Sequence, residues 1–343
     1  SLLSNCNTFE LGSNAITGVT FPINAVTIST LILSNNNISG TLDVSDFANL
    51  AGNFRIDGNT ISTIIFPATV AGTFSFIHLG GNSFTTLDLS PFVNLSGYVY
   101  VGVMLSLTSL NLGSSGSGVT RFQANQTGLS ALDISNLTGC YEVDFSNSAS
   151  LSSVTNPVSS TVFTKYYGKS CTSLVNIDLS PLSSLAGDVQ FTGSSSLATV
   201  TLPTSSQTFS KLWFDNCNLS TIDFSGLSGT IDYIAVSFNS SLATVTMGSG
   251  SLNKFDAVSC AVGYIDFTSH TLTTNFRILI YNNNMTATEV NHILVDIDGM
   301  VGSGSGEINI GGTNAAPDAT SGGYDGLAAA SSLAGKGHTV TTS

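Results

Sequence analysis

The hexapeptides FTTLDL at 84–89, LSALDI at 129–134, LVNIDL at 174–179 and LSTIDF at 219–224 decide the fold. Each carries apolar side chains at its first, fourth and sixth positions, and successive copies stand 45 residues apart. Intermediate copies halve that spacing. Apolar anchors of the same form begin at Ile16, Ile61, Phe84, Leu107, Leu129, Leu174, Leu197, Leu219, Leu242 and Val262. Ile38 and Leu151 begin looser copies, and Met285 begins the exit from the series. The thirteen anchors are 22 or 23 residues apart, with one step of 20. A fixed period of this length is the mark of a solenoid, in which each unit buries its apolar side only against its neighbours.

Upstream of most anchors a second apolar pair recurs seven and five residues before it, as in Leu31/Leu33, Ile77/Leu79, Phe122/Ala124, Leu212/Phe214 and Ile278/Ile280. In other units the pair sits eight and six residues before the anchor: Val99/Val101, Val143/Phe145 and Val189/Phe191. Alternation of period two predicts a short strand with every second side chain turned inward. Two residues before several anchors stands Asn or Cys, at Asn14, Asn36, Asn59, Asn82, Cys217, Cys260 and Asn283. A polar side chain there is placed to hydrogen-bond the backbone of its own turn and of the next.

At these residues the sequence resembles the leucine-rich-repeat family: FSFIHLGGNSF at 74–84 and ISTLILSNNNI at 28–38 match LxxLxLxxNxL with aromatic and β-branched substitutions. The LATVTLP and STIIFP segments are also similar to the roughly 23-residue repeat of bacterial surface-antigen proteins of the Treponema type. The resemblance covers about residues 9–285. It implies a β-rich solenoid of about 12–13 turns over residues 1–284, with a small α/β capping region over 285–343. In that tail, Thr286 and Glu289 match a capping box, and Val290, Ile293, Leu294 and Ile297 share one helical face before Gly299. GEINIGG at 306–312 predicts a strand, YDGLAAASSLAG a second helix and HTVTTS a last strand. This tail is similar to the ends of leucine-rich-repeat proteins of phage tails and bacterial surfaces. At the other end Phe9, Leu11, Asn14 and Ile16 already stand in register, so the expectation is an end met by an upstream domain, covered by the first eight residues, or stacked on another copy.

A second period overlies the first. Asp43, Asp88, Asp133, Asp178, Asp223 and Asp266 fill the position between the last two apolar residues of alternate units, which makes the unit a 45-residue double repeat. With strands about 4.8 Å apart, these carboxylates would form a row spaced by about 10 Å. The row is a candidate site for Ca²⁺ or basic ligands, or simply a spacing that keeps like charges apart. Calcium needs six to eight oxygens, more than one Asp per two turns supplies, so no cofactor is required. Arg121, Lys165, Lys211 and Lys254 form a partial basic row on the other strands.

Of the five cysteines, Cys217 and Cys260 share the ladder position two units apart, too far for a disulfide, and read as buried thiols in place of Asn. The four histidines are scattered and no catalytic signature occurs; Asp296 and Asp298 read as solvated residues at a helix end. Seven N-x-S/T sequons are expected by chance in so Asn- and Ser-rich a chain. A net charge of −13 with only 8% charged residues argues against a nucleic-acid partner. No apolar run is long enough to enter a membrane. Tyr98, Tyr100, Tyr166, Tyr167, Trp213, Tyr233, Tyr264 and Tyr281 lie on or beside strands, where outward-facing rings suit a protein or glycan ligand or, equally, pack edge-on between repeats. The expected function is non-enzymatic: an extracellular, cell-surface or virion-borne recognition module, with a fibre or sheath subunit as the alternative.

Overall fold

The structure, a computed structural model, describes residues 6–21, 28–47, 49–158 and 163–342. It divides into two compact units, Ser1–Leu174 and Val175–Ser343. Each is a parallel β-solenoid, the fold that the period of 22–23 residues requires.

In the first unit one sheet takes a strand from every turn, in sequence order: Thr8–Glu10, Thr30–Ile32, Gly52–Arg55, Phe74–His78, Ser96–Tyr100, Gly118–Gln123, Glu142–Asp144 and Lys165–Tyr167. The register stacks Leu31, Phe54, Ile77, Val99, Phe122, Val143 and Tyr166 on one another, all of them fully buried. Residues on either side of this column face out, as the pleat demands. On the other side of the coil the strands make no long sheet and pair only by twos, the short-sheet strands: Ser39–Asp43 with Thr60–Ile65, Thr86–Asp88 with Ser109–Asn111, and Ala131–Asp133 with Ser153–Thr155.

The second unit repeats this plan. Its long sheet runs Gly187–Gln190, Phe209–Trp213, Ile231–Ala235, Gly250–Asp256, His270–Leu279, Glu307–Asn309 and Thr339–Thr341. Asn176–Asp178 pairs with Thr199–Thr201, and Thr221–Asp223 with Thr244–Thr246, on the other side. The C-terminal region is α/β: α1 (Ala287–Met300), a strand, a short 3-10 turn, α2 (Gly326–Gly335) and a strand. Thr286 and Glu289 form the reciprocal capping box, and Val290, Ile293, Leu294 and Ile297 are buried. The two tail strands extend the long sheet in parallel.

The ladder side chains reach backwards along the coil, a correction to the expectation that they bond the next turn. Asn59 accepts from the N–H of Ile38 in the preceding turn at 3.0 Å and donates to the carbonyls of Leu33, Ile56 and Asp57. Asn36, Asn82, Asn239 and Asn283 repeat the arrangement. Asn314 extends it into the C-terminal region, accepting from Asn283 and Met285. Where Cys takes the place, one thiol donates to the preceding turn at 3.3 Å: Cys171 to Phe145, Cys217 to Phe191 and Cys260 to Val236. Burial pushes these thiols up, Cys171 and Cys217 to about 12 and Cys260 to about 11, so they stay protonated donors.

The residue before each ladder position takes a left-handed turn. Asn35, Gly58, Gly81, Asn147, Ser170 and Asn216 all have φ between 53° and 69°. Gly and Asn bear that conformation at least cost.

The Asx position explains the doubled repeat. Asp43, Asp88, Asp133, Asp178, Asp223 and Asp266 each accept the backbone N–H two residues on, at 2.8–3.0 Å. This local bond starts a turn after the strand. In the first unit the turn then buries Phe47 and Leu50, Phe92 and Leu95, or Leu137 and Cys140. The partner strand of each pair lacks the Asp and leaves the sheet through Pro67, Gly113 or Pro157, although Asn111 makes the same bond with the Gly113 N–H at 3.0 Å. The Asp column is therefore interrupted by Ile65, Asn111 and Thr155 within each strand pair.

Replacing Asn59 by Ala leaves the Ile38 N–H unpaired inside the coil and takes one of two donors from the carbonyls of Leu33, Ile56 and Asp57, which keep Asn36, Asn82 and the Asn35 N–H. The expected loss is at least about 2 kcal/mol, against about 1 kcal/mol for Cys171→Ala. Urea unfolding of both variants measures the difference, and equal losses would show that the amide merely fills space.

Candidate ligand-binding face

Side chains that flank the buried column of the long sheet are free of the core, and the sequence spends its charge there. In the first unit the guanidinium of Arg55 lies 5.4 Å from the Phe76 ring, Phe76 stacks on Tyr98 at 4.7 Å, and Arg121 lies 4.6 Å above Tyr98. Two aromatic rings are thus closed between two cations, each cation–ring contact worth about 0.5–1 kcal/mol at such half-exposed sites.

Glu142, only 3% exposed, anchors the next strands. It receives Arg121 through Nη2 at 2.6 Å and Nε at 2.7 Å, Gln123 at 3.0 Å and Lys165 at 3.3 Å. Four donors around one carboxylate are what a buried charge needs. The Tyr98 hydroxyl donates to Gln123, which links this cluster to the aromatic stack.

The next outward position holds His78, edge-on to Tyr100 at 4.5 Å. Beyond it, at the strand end, is Asp57. Ser34 donates to its Oδ1 at 2.7 Å, with His78 at 3.0 Å and Arg55 at 3.5 Å. Burial alone would raise this carboxyl. The hydrogen bonds from His78 and Ser34 and the charges of His78 and Arg55 outweigh it and hold Asp57 below the usual range.

The second unit uses the same positions. Lys211 lies 3.8 Å from Asp188 and 4.9 Å from the Trp213 ring, and Trp213 meets Tyr233 edge-on at 5.5 Å. Arg277 binds Asp256 at 2.7 Å and the Tyr233 hydroxyl at 2.8 Å, and that hydroxyl donates to Asp256. Asp215 stands where Asp57 stands in the first unit, three residues beyond a buried strand residue. Among the described residues it receives only the N–H of Ser237, at 2.7 Å. Burial pushes its carboxyl up, the Ser237 bond offsets part of this, and the charge of Asp256 adds to it, bringing Asp215 to about 6.

The basic row expected from the sequence, Arg121, Lys165, Lys211 and Lys254, does face outward on the long strands. Arg121, Lys165 and Lys211 pair with acids of their own face, Glu142 and Asp188. The Asp row from Asp43 to Asp266 lies off this face, on or beside the short-sheet strands, and each member commits one oxygen to its turn. Tyr264 stacks on His292 at 3.9 Å and donates to Asp296 at 2.6 Å, against the first helix of the C-terminal region. Asp296 and Asp298 are not simply solvated: Asp296 accepts from Tyr264, and Asp298 pairs with Lys336 at 2.8 Å. Tyr166 points inward and is fully buried.

Arg55, Asp57, Phe76, His78, Glu142, Asp215 and Arg277 were not singled out in the sequence. Counting outward from the paired apolar residues of each strand would have found them. Among the described residues no three His, Cys, Asp or Glu converge to hold a metal ion, and no helix is long and apolar enough to cross a membrane.

The BspA-type leucine-rich-repeat region model matches residues 103–189 and 182–284, in six copies and over more than half of the chain. The chain belongs to the BspA-type leucine-rich-repeat family. Among solved structures, this BspA-type protein aligns with an internalin, InlF, from Listeria monocytogenes at 14% identity over 98% of this chain and 86% of that one, with a TM-score of 0.36. It also aligns with the functional domain of InlJ from Listeria monocytogenes, which includes a cysteine ladder, at 15% identity over 90% of this chain and 74% of that one, with a TM-score of 0.24. No curated protein sequence matches it significantly.

The raised Asp215 carboxyl has a measurable consequence. Its folded value of about 6 lies above the unfolded value of about 3.9, so the folded state holds the proton more tightly. That contribution is complete below about pH 4 and is lost as pH rises through 6. Asp215→Asn is expected to stabilise the protein at pH 7.5 by about 1–2 kcal/mol, discounted for partial solvent screening, and to change nothing at pH 4. Thermal unfolding at the two pH values checks this, and an equal effect at both would refute it.

Proposed function

We propose that this chain is a non-enzymatic recognition module that holds a protein ligand against the outward face of its long strands, and that it works outside the cell, on a cell or virion surface. One observation carries the reading. Of the 8 Lys and Arg residues in the sequence, Arg55, Arg121, Lys165, Lys211, Lys254 and Arg277 project from those strands, interleaved with Phe76, Tyr98, Tyr100, Trp213 and Tyr233. The short-sheet strands on the other side carry Thr, Ser, Asn and Asp instead.

Arg, Tyr and Trp are the residue types that carry most binding energy at protein interfaces. Nothing in the fold asks for them here, because outward positions of a sheet tolerate Thr equally well. A protein ligand suits the stack better than a glycan. Phe76 and Tyr98 already have their faces covered by each other and by Arg55 and Arg121, so no ring face is left open for a sugar. The Asp row keeps its part in the turns and is not needed for this binding.

The test is a panel of extracellular proteins presented to the immobilised chain. A bound partner should lose at least about tenfold in affinity with Tyr98→Ala or Arg121→Ala, the cost of one interface hot spot. It should be indifferent to Thr199→Arg on the short-sheet side. Binding abolished by Thr199→Arg and untouched by the other two would place the ligand elsewhere. Ordered filaments with no binding at all would favour a fibre subunit.

A further inference from the structure

A pocket of about 270 Å³ opens at the end of the long strands of the second unit, where Thr192, Asp215, Tyr233, Phe238, Asp256 and Tyr281 line it. Its acceptors are unfilled. Asp256 is 8% exposed, and its Oδ2 takes Arg277 and Tyr233, yet among the described residues its Oδ1 is buried without a hydrogen-bond partner. The buried Oγ1 of Thr192 also lacks one. Asp215 has the single N–H of Ser237, and among the described residues no Lys, Arg or His pairs with it.

The register equivalent in the first unit shows what is missing. Asp57 occupies the same place and is met by a hydroxyl, an imidazole and a guanidinium from Ser34, His78 and Arg55. Around Asp215 no imidazole or guanidinium pairs with the carboxylate, and the hydroxyl at the place of Ser34, that of Thr192, makes no hydrogen bond to it among the described residues, although each unpaired buried acceptor carries a desolvation cost. Two carboxylates are too few for a metal site. An ammonium group offers three tetrahedral N–H donors with a positive charge, and its methylene stem needs apolar walls. Tyr233, Tyr281 and Phe238 provide walls of that kind. Phe238 takes the left-handed turn at φ 60° that Asn216, Ser259 and Asn282 take in neighbouring turns, and its ring is 55% exposed.

We propose that the Asp215–Asp256 pocket is a subsite for the ammonium group of a lysine side chain carried by a protein ligand, with the Asp215 carboxylate as its acceptor and the Asp256 carboxylate adding negative charge behind it. The source of the lysine rests on the ligand-face reading, but the preference for an ammonium group does not.

The probe is N-acetyl-lysine methylamide, titrated into the full chain and followed by NMR. Saturable binding in the millimolar range is expected, at least about tenfold tighter than for the norleucine analogue, which lacks the charge. Asp215→Asn should abolish it while the protein still unfolds in one cooperative transition. Should that variant fail to fold, the pH arm decides. The lysine stays protonated from pH 7.5 to 5, and so does Arg277, while Asp215 gains a proton near pH 6 with Asp256, Tyr233 and Tyr281 facing it. Affinity should therefore fall about tenfold across that range. Equal binding of the norleucine analogue, a flat pH profile, or calcium chloride displacing the probe would each overturn the subsite. None of them touches the panel result, which reads the ligand face separately.

Discussion

A coil this narrow has few places to put its backbone. Each turn directs N–H and C=O groups toward an interior that holds only one column of side chains from each strand, and a buried peptide group without a partner costs as much as a lost hydrogen bond. The ladder amide solves this by bridging its own turn and the one before, taking one N–H and giving to two or three carbonyls. Everything else is arranged around that bridge. The left-handed residue before it aims the side chain inward, and the strand five residues earlier sets the depth at which it arrives. Cys, which makes one such bond to the preceding turn, serves where fewer groups need satisfying.

With the interior fixed in this way, the outward positions of the long strands carry no duty to the fold. Their content is therefore informative. A chain in which Thr and Ser cover most of the surface gathers its cations and large rings on these strands. It then satisfies them locally, as Glu142 shows with Arg121, Gln123 and Lys165. Such mutual satisfaction holds long side chains in one geometry before any partner arrives, which reduces the entropy lost on binding. Asp215 departs from that habit.

The period, the inward column, the capping box at Thr286 and the order of elements after Met285 were all legible, because each depends on residues close in sequence. The ladder was only partly legible. Counting back from the anchor finds Asn36 and Asn59 but misses Ser148, Cys171 and Asn239, since the turn between ladder and anchor varies by one residue. Counting forward from the strand finds them all. The direction of the bridge and the environments of Asp57 and Asp215 were hidden for a different reason. They are set by side chains about 22 residues away in the adjacent turn, as Ser34 and His78 are for Asp57. Asp298 likewise meets Lys336 across the C-terminal region, a contact that no local pattern announces.

The short-sheet strands pair by twos, an Asp-bearing strand with its Asp-free successor, and this grouping limits how such a chain changes length. Removing one turn would set two Asp-led corners side by side, doubling both the like charge and the bulk of Phe47- or Leu182-type residues at one level of the stack. Removing two turns leaves every neighbour as it was. Duplication and deletion in this lineage should therefore proceed in even steps, and a gene with an odd number of turns should show its irregularity at one end, where no neighbour is left to object.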